Sequence, residues 1–141
     1  MKETRYLVDP KQPYSLHDHR VNDIELENSN LILSFEDGFT KLAEPYSNVK
    51  GRITIEGVDE DFSDITIESS PNEKGIFQGE KLSVLNFKEK YKGFSFEVIN
   101  EYYGWHRLIL EGCLWLKDNN PKNISLSIGY FTGDIVYNTL E

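Results

Sequence analysis

The sequence predicts a mainly β domain, an antiparallel β-sandwich or flattened barrel of about nine strands with one short α-helix. Three observations carry this expectation. Apolar and polar residues alternate with period two over many short runs, as half-buried strands require. Turn residues such as Asn28-Ser29, Asp37-Gly38 and Gly133-Asp134 separate those runs at hairpin spacing. Only one segment, after Ser83, repeats its apolar residues at helical spacing. A chain of 141 residues, 38% apolar and 13% aromatic, is long and hydrophobic enough for a single domain with a real core.

Taken in order, residues 1–15 hold Pro10 and Pro13 and read as an extended arm with a short strand at Tyr6–Val8. Ile24 and Leu26 then alternate with Asp23, Glu25 and Glu27, and Asn28-Ser29 serves as a two-residue turn. Leu31, Leu33 and Phe35 continue the inward face, which pairs Leu26 with Leu31 and Ile24 with Leu33. Asp37-Gly38 is a hairpin signal of the type I′ kind, so a third strand at Phe39–Leu42 completes a meander. Arg52–Glu56 and Asp64–Glu68 form a pair of nearly identical alternating strands, the pattern of a half-buried hairpin. Residues 69–80, rich in Gly and Pro, read as a loop.

Ser83 is a good N-cap, and Leu82 before it can staple to Phe87. Val84, Phe87 and Tyr91 share one face, Lys88, Lys90 and Lys92 suit the negative end of the dipole, and Gly93 supplies a left-handed stop. The stretch Phe94–Leu116 reads as the central hairpin. A three-residue loop, Tyr103-Gly104-Trp105, puts Val98 opposite Leu110, Phe94 opposite Leu114 and Glu101 opposite Arg107. Asp118–Pro121 is a turn, Ile124–Ile128 a strand, and Gly133-Asp134 leads into a last strand at Ile135–Tyr137.

The net charge of −9 is unevenly spread. Residues 21–80 carry four Lys/Arg against fourteen Asp/Glu, while residues 81–141 carry seven of each. Such a surface repels nucleic acid and anionic membranes and attracts a basic partner protein. No run approaches the length of a membrane span, and the segment MKETRYLVDP lacks the apolar core of a signal peptide. With Cys113 as its one cysteine, the sequence fits a reducing, cytoplasmic compartment.

Several residue groups invite a chemical reading. His17 and His19, two apart, would point the same way on a strand, but a metal site needs more ligands, so hydrogen bonds that anchor the first strand are the better account. Asp59-Glu60-Asp61-Phe62-Ser63-Asp64 begins like a calcium loop. It has Asp64 and Ser70 where an EF-hand needs its glycine and glutamate, so that reading fails. Glu97 and Glu111 face each other in the proposed register and could do acid–base work if burial raised one pKa; they read equally as two solvated charges or as the sign of a bulge that shifts the register. Cys113 in mid-strand, with no motif around it, reads as a small buried apolar residue. No metal or cofactor is expected. Tyr102, Tyr103 and Trp105 at the central turn, with Glu101, His106 and Arg107 beside them, read either as a contact site for a protein or a sugar or as a cap on one end of the core.

The opening Ser15-Leu16-His17-Asp18-His19-Arg20-Val21, followed by a meander with Phe35-Glu36-Asp37-Gly38-Phe39, resembles a small uncharacterised bacterial family, mostly β, with an N-terminal Leu-His-Asp element. Some of its members are similar to immunity proteins, which neutralise a partner toxin. The resemblance implies a protein that binds without catalysis. The contacts expected from the charge pattern are Asp23, Glu25, Glu27, Asp59, Glu60, Asp61 and Asp64, with Tyr102, Tyr103 and Trp105 as aromatic contacts. The alternative is binding or turnover of a small molecule or carbohydrate in a pocket of the barrel or sandwich, using His17, His19 or the Glu97–Glu111 pair.

Overall fold

A computed structural model describes residues 1–7, 12–68, 78–117 and 119–141, without the side chain of Asn119. Twelve strands and one helix lie among the described residues. The strands are β1 (Lys2–Arg5), β2 (Tyr14–Ser15), β3 (Arg20–Glu27), β4 (Asn30–Phe35), β5 (Phe39–Lys41), β6 (Ser47–Ile55), β7 (Val58–Glu68), β8 (Gly79–Leu82), β9 (Ser95–Gly104), β10 (Arg107–Leu116), β11 (Asn119–Tyr130) and β12 (Ile135–Leu140), with α1 at Val84–Lys90. One antiparallel sheet runs β1-β12-β6-β4-β3-β9-β10-β11-β7-β8, and β2 and β5 attach through β6. The sheet does not close, as in a sandwich or flattened barrel. Its inward residues form one core that includes Ile24, Leu33, Ile53, Ile65, Phe96 and Leu126. Among the described residues no helix is long and apolar enough to cross a membrane.

The central hairpin is β9–β10, but its register differs from the three-residue loop. Gly104 pairs with Arg107 and Tyr103 with Leu108, so the turn is the two residues Trp105–His106, with His106 at φ 55°. Glu111 pairs with Asn100 and Gly112 with Val98, which leaves Ile99 as a bulge. A two-residue turn plus one extra residue has the same parity as a three-residue loop. Phe96, Val98, Leu110 and Leu114 therefore all face inward as predicted, although their partners are different. Beyond the bulge the inner face of β9 passes to Glu101 and Tyr103. The Glu101–Arg107 and Glu97–Glu111 pairings do not exist. Gly112 is required at the bulge, since a Cβ there would lie 1.8 Å from the Glu97 carbonyl oxygen.

Leu16-His17-Asp18-His19 is a tight turn seated on this bulge. Its His19 N–H donates to Leu16 O at 3.0 Å, and Asp18 takes φ 66°. Asp18 N–H donates to Val98 O (2.8 Å) and Val98 N–H to His19 O (2.9 Å), lengthening a β3–β9 seam that otherwise has two residue pairs. The anchoring reading of this segment holds.

Other expectations need correction. Asn28 and Ser29 both take positive φ and set the Leu26–Leu31 and Ile24–Leu33 pairs as expected. At Asp37-Gly38 only Gly38 does, and a type I′ turn needs two such residues. β5 accordingly leaves β4 to pair with β6 and β2. β6 and β7 do not pair either: β6 lies between β12 and β4, and β7 between β11 and β8. The arm begins as a strand at Lys2–Arg5 on β12, before the expected Tyr6–Val8, whose Val8 is outside the described residues. Of the expected 69–80 loop, residues 69–77 are outside the description and β8 starts at Gly79. The sequence placed a turn at Asp118–Pro121. Asp118 lies outside the described residues, and β11 already runs from Asn119. The helix is capped as predicted, with Ser83 Oγ accepting from Asn86 N–H at 3.1 Å and Gly93 at φ 76°. Its Val84 and Phe87 are buried, and it packs on β3, β7 and β8.

Candidate functional site

The turns at one end of the sheet place four aromatic rings on the surface. His106 Nδ1 donates to Tyr130 O (3.0 Å) and Tyr130 N–H to His106 O (3.0 Å), which pins the Trp105–His106 turn to β11. β7 carries a second, larger bulge at this level. Asp59 pairs with Gly129 and Asp64 with Ser127, so residues 60–63 stand against Ile128 alone. Ser63 holds the bulge in shape: its Oγ donates to Asp59 O (2.7 Å) and accepts from Gly129 N–H (3.0 Å). Arg107 adds a bond to Phe62 O (3.2 Å) and another to Ser127 Oγ (2.6 Å).

The bulge throws Phe62 outward, edge-on to Phe131 with ring centroids 5.7 Å apart. His106 lies between Phe131 (5.9 Å) and Trp105 (4.3 Å). Phe62 is 56% exposed, Phe131 48% and Trp105 86%. Large rings at this exposure, gathered from three separate segments, make a surface that burial alone does not explain.

Carboxylates border the rings. Glu56 and Asp134 are both held by Arg5 Nη1, at 2.8 and 3.1 Å, and that hydrogen bonding draws Glu56 below its ordinary range. Among the described residues Asp59, Glu60 and Asp61 have no cation within salt-bridge distance. These three residues, with Ser29, Gly57, Phe131 and Thr132, line a notch of about 450 Å³.

No protein-family model matches the chain, and neither a curated protein nor a solved structure is similar to it.

Of the residues singled out in the sequence, Asp59, Glu60, Asp61 and Trp105 meet at this end. Asp64 does not join them: it lies past the bulge and pairs with Lys81 at 3.5 Å. Asp59–Asp64 is thus part of a strand, not a free loop. Tyr102 is exposed on the outer face of β9, opposite Ile109. Tyr103 points inward and stacks on Tyr6 at 4.7 Å; its hydroxyl donates to Glu101 (2.7 Å) and accepts from Tyr137 (3.2 Å). Burial raises the pKa of both Tyr103 and Tyr137. Glu101 also accepts from Gln12 Nε2 and Leu16 N–H, each at 2.8 Å, and so ties the arm to β9. On β3, Asp23 comes within 4.0 Å of Lys88, while Glu25 and Glu27 are exposed. The acidic middle is therefore spread along a strand and one end, not gathered in one patch. Phe62 and Phe131 escaped the sequence reading. Their signal was an aromatic ring within a polar turn segment, Asp61-Phe62-Ser63 and Tyr130-Phe131-Thr132-Gly133.

The histidines serve the fold. His17 Nδ1 donates to Ile99 O (2.7 Å) and His19 Nε2 bonds Thr40 Oγ1 (2.8 Å); burial lowers the pKa of His19. Among the described residues no three His, Cys, Asp or Glu side chains gather as metal ligands would. Glu97 accepts from Trp115 Nε1 (3.2 Å), and the Arg20 guanidinium lies 5.2 Å over the same indole. Glu111 instead lines a shallow groove of about 550 Å³ on the outer face of β9, β10, β11 and β7, with Cys113, Glu68, Thr66, Asn123 and Ser125.

Proposed function

We propose that this protein is a non-catalytic, immunity-like binding domain of the cytoplasm that docks a basic partner protein through the turn end of its sheet. The observation that supports this most is the surface ring cluster Phe62–Phe131–His106–Trp105 beside Asp59, Glu60 and Asp61, which among the described residues meet no cation. Aromatic anchors ringed by polar groups are the usual anatomy of a protein contact. Opposite charge on the partner speeds encounter and sets the docked register. A second copy of the chain is a poor occupant, because it would bring the same carboxylates face to face.

The test begins with a partner captured from the native host and then purified. Trp105→Ala should weaken its binding by about ten-fold or more, the scale of an interface anchor. Asp59→Asn/Glu60→Gln/Asp61→Asn should slow association, mainly at low ionic strength. Asp64 is left intact because it already has Lys81. A partner that binds both variants as it binds the unaltered protein would remove this end from consideration.

The groove on the outer face supports a second reading, binding of a small polar molecule or carbohydrate at Glu68, Glu111, Thr66, Asn123 and Ser125. Cys113 in that groove is a ready reporter. A ligand seated there would slow alkylation of its thiol.

A further inference from the structure

Resting on the docking surface just described, we infer that the notch beside Phe131 is the seat of an arginine side chain presented by the partner. Its wall is an aromatic ring about half exposed and its rim carries Asp59, Glu60 and Asp61, with hydroxyls of Ser29 and Thr132. At Gly57 the chain turns with φ 66°, and a Cβ there would lie 2.3 Å from Thr132 Oγ1, so the two turns meet without a side chain between them. A guanidinium is flat enough to stack on Phe131 while its in-plane N–H groups reach carboxylates and hydroxyls. A lysine ammonium pairs with the carboxylates but gains less from the ring and lacks the fork. An apolar side chain would leave the rim carboxylates desolvated and unpaired.

One step away the molecule already clasps a guanidinium between two carboxylates. Arg5 bridges Glu56, from the β6–β7 turn, and Asp134, from the β11–β12 turn. The notch is built from the continuation of these two turns, at residues 57–61 and 131–132, and among the described residues no cation pairs with its carboxylates. One arginine seat is filled from within the chain, and its neighbour is left for the partner.

The probes are N-acetyl-arginine amide and N-acetyl-lysine amide, equal in charge, titrated into the full chain at low salt with backbone amide resonances as readout. The arginine compound should shift Gly57, Asp61 and Thr132 at millimolar concentration and bind about three-fold tighter than the lysine compound. Phe131→Leu should abolish that preference while leaving weak, salt-sensitive attraction; Asp61→Asn should weaken both. Equal response to both compounds, or shifts centred elsewhere, would overturn the arginine seat. The two readings fail separately. A purified partner that loses affinity with Trp105→Ala but ignores Phe131→Leu and Asp61→Asn keeps the docking end and discards the seat. An arginine-selective notch combined with a partner indifferent to all three variants overturns both the docking end and the partner's arginine.

Discussion

Two aromatic clusters in this protein share a geometry and differ in what covers them. Inside, Tyr14 meets Phe39 at 5.2 Å and Tyr137 at 5.0 Å, and Phe35 meets Phe39 at 5.3 Å. All four rings are buried, and both hydroxyls have partners: Tyr14 donates to Glu141 (2.6 Å) and Tyr137 to Tyr103 (3.2 Å). At the turn end, Phe62 and Phe131 meet edge-on at 5.7 Å, much like the buried pairs, yet about half of each stays in solvent. Ring-to-ring attraction is similar in the two places. The burial that stabilises a fold is available only to the first. The second leaves about half of its ring surface in water.

The comparison can be broken most forcefully at Phe39. Phe39→Ala removes a fully buried ring and should cost about 3–5 kcal/mol in urea unfolding. A loss below about 1 kcal/mol would mean that the inner cluster is not the core it resembles. Tyr103→Phe comes next. It leaves the Tyr137 hydroxyl without its acceptor and Glu101 with one donor fewer, a change of about 1–3 kcal/mol.

The same variant has a pH signature. Burial raises Tyr103 and Tyr137 above the ordinary tyrosine value of 10.0. The folded protein therefore holds these protons more tightly than the unfolded chain. The stability they contribute is complete below that value and is lost as pH rises through and beyond it. Tyr103→Phe should flatten the alkaline fall in stability; an unchanged slope would show that these hydroxyls do not titrate with unfolding. Smallest of all, Phe62→Ala and Trp105→Ala should each change stability by no more than about 0.5 kcal/mol. A loss of 2 kcal/mol or more at either would make the outer cluster structural after all.

The parts legible in the sequence were those encoded by neighbours along the chain. The Ser83 cap, the Gly93 stop and the Asn28-Ser29 turn each depend on a few adjacent residues, and all three formed as expected. The inward faces were legible too, because alternation says which side a residue takes. It does not say which strand lies beside it, so the twin patterns of Arg52–Glu56 and Asp64–Glu68 suggested a hairpin where the sheet has β12 and β11 as their respective neighbours. Bulges were the other weak point: the opposed Glu97 and Glu111 hinted at a shifted register in the central hairpin but not at its place. Nothing local marks Ile99 or residues 60–63 as extra, because each depends on a partner strand: Gly112 approaching Glu97, and Gly129 N–H donating to Ser63 Oγ. The candidate site depends on the second of these bulges, and its Phe62 and Phe131 could not be singled out beforehand.

The Ile99 bulge sets the phase of β9 without asking for a particular side chain. Its backbone carbonyl, not its side chain, is what His17 bonds, so many residues could stand at 99. Removing the position would be absorbed by the ladder. Val98 and Asn100 would then follow each other in plain alternation, and every pair from Asn100–Glu111 to Gly104–Arg107 would keep its partner and its face. Glu101 would still point inward, where it accepts from Gln12 and Leu16. What would go is the carbonyl that accepts from His17, one of the bonds that seat the Leu16–His19 turn. Among natural variants of this chain, substitutions at 99 should be common, and a deletion there should spare the inward face of β9 while loosening that turn. Where such a deletion occurs, a side chain at 112 is expected more often, since the close approach of Gly112 to Glu97 belongs to the bulge.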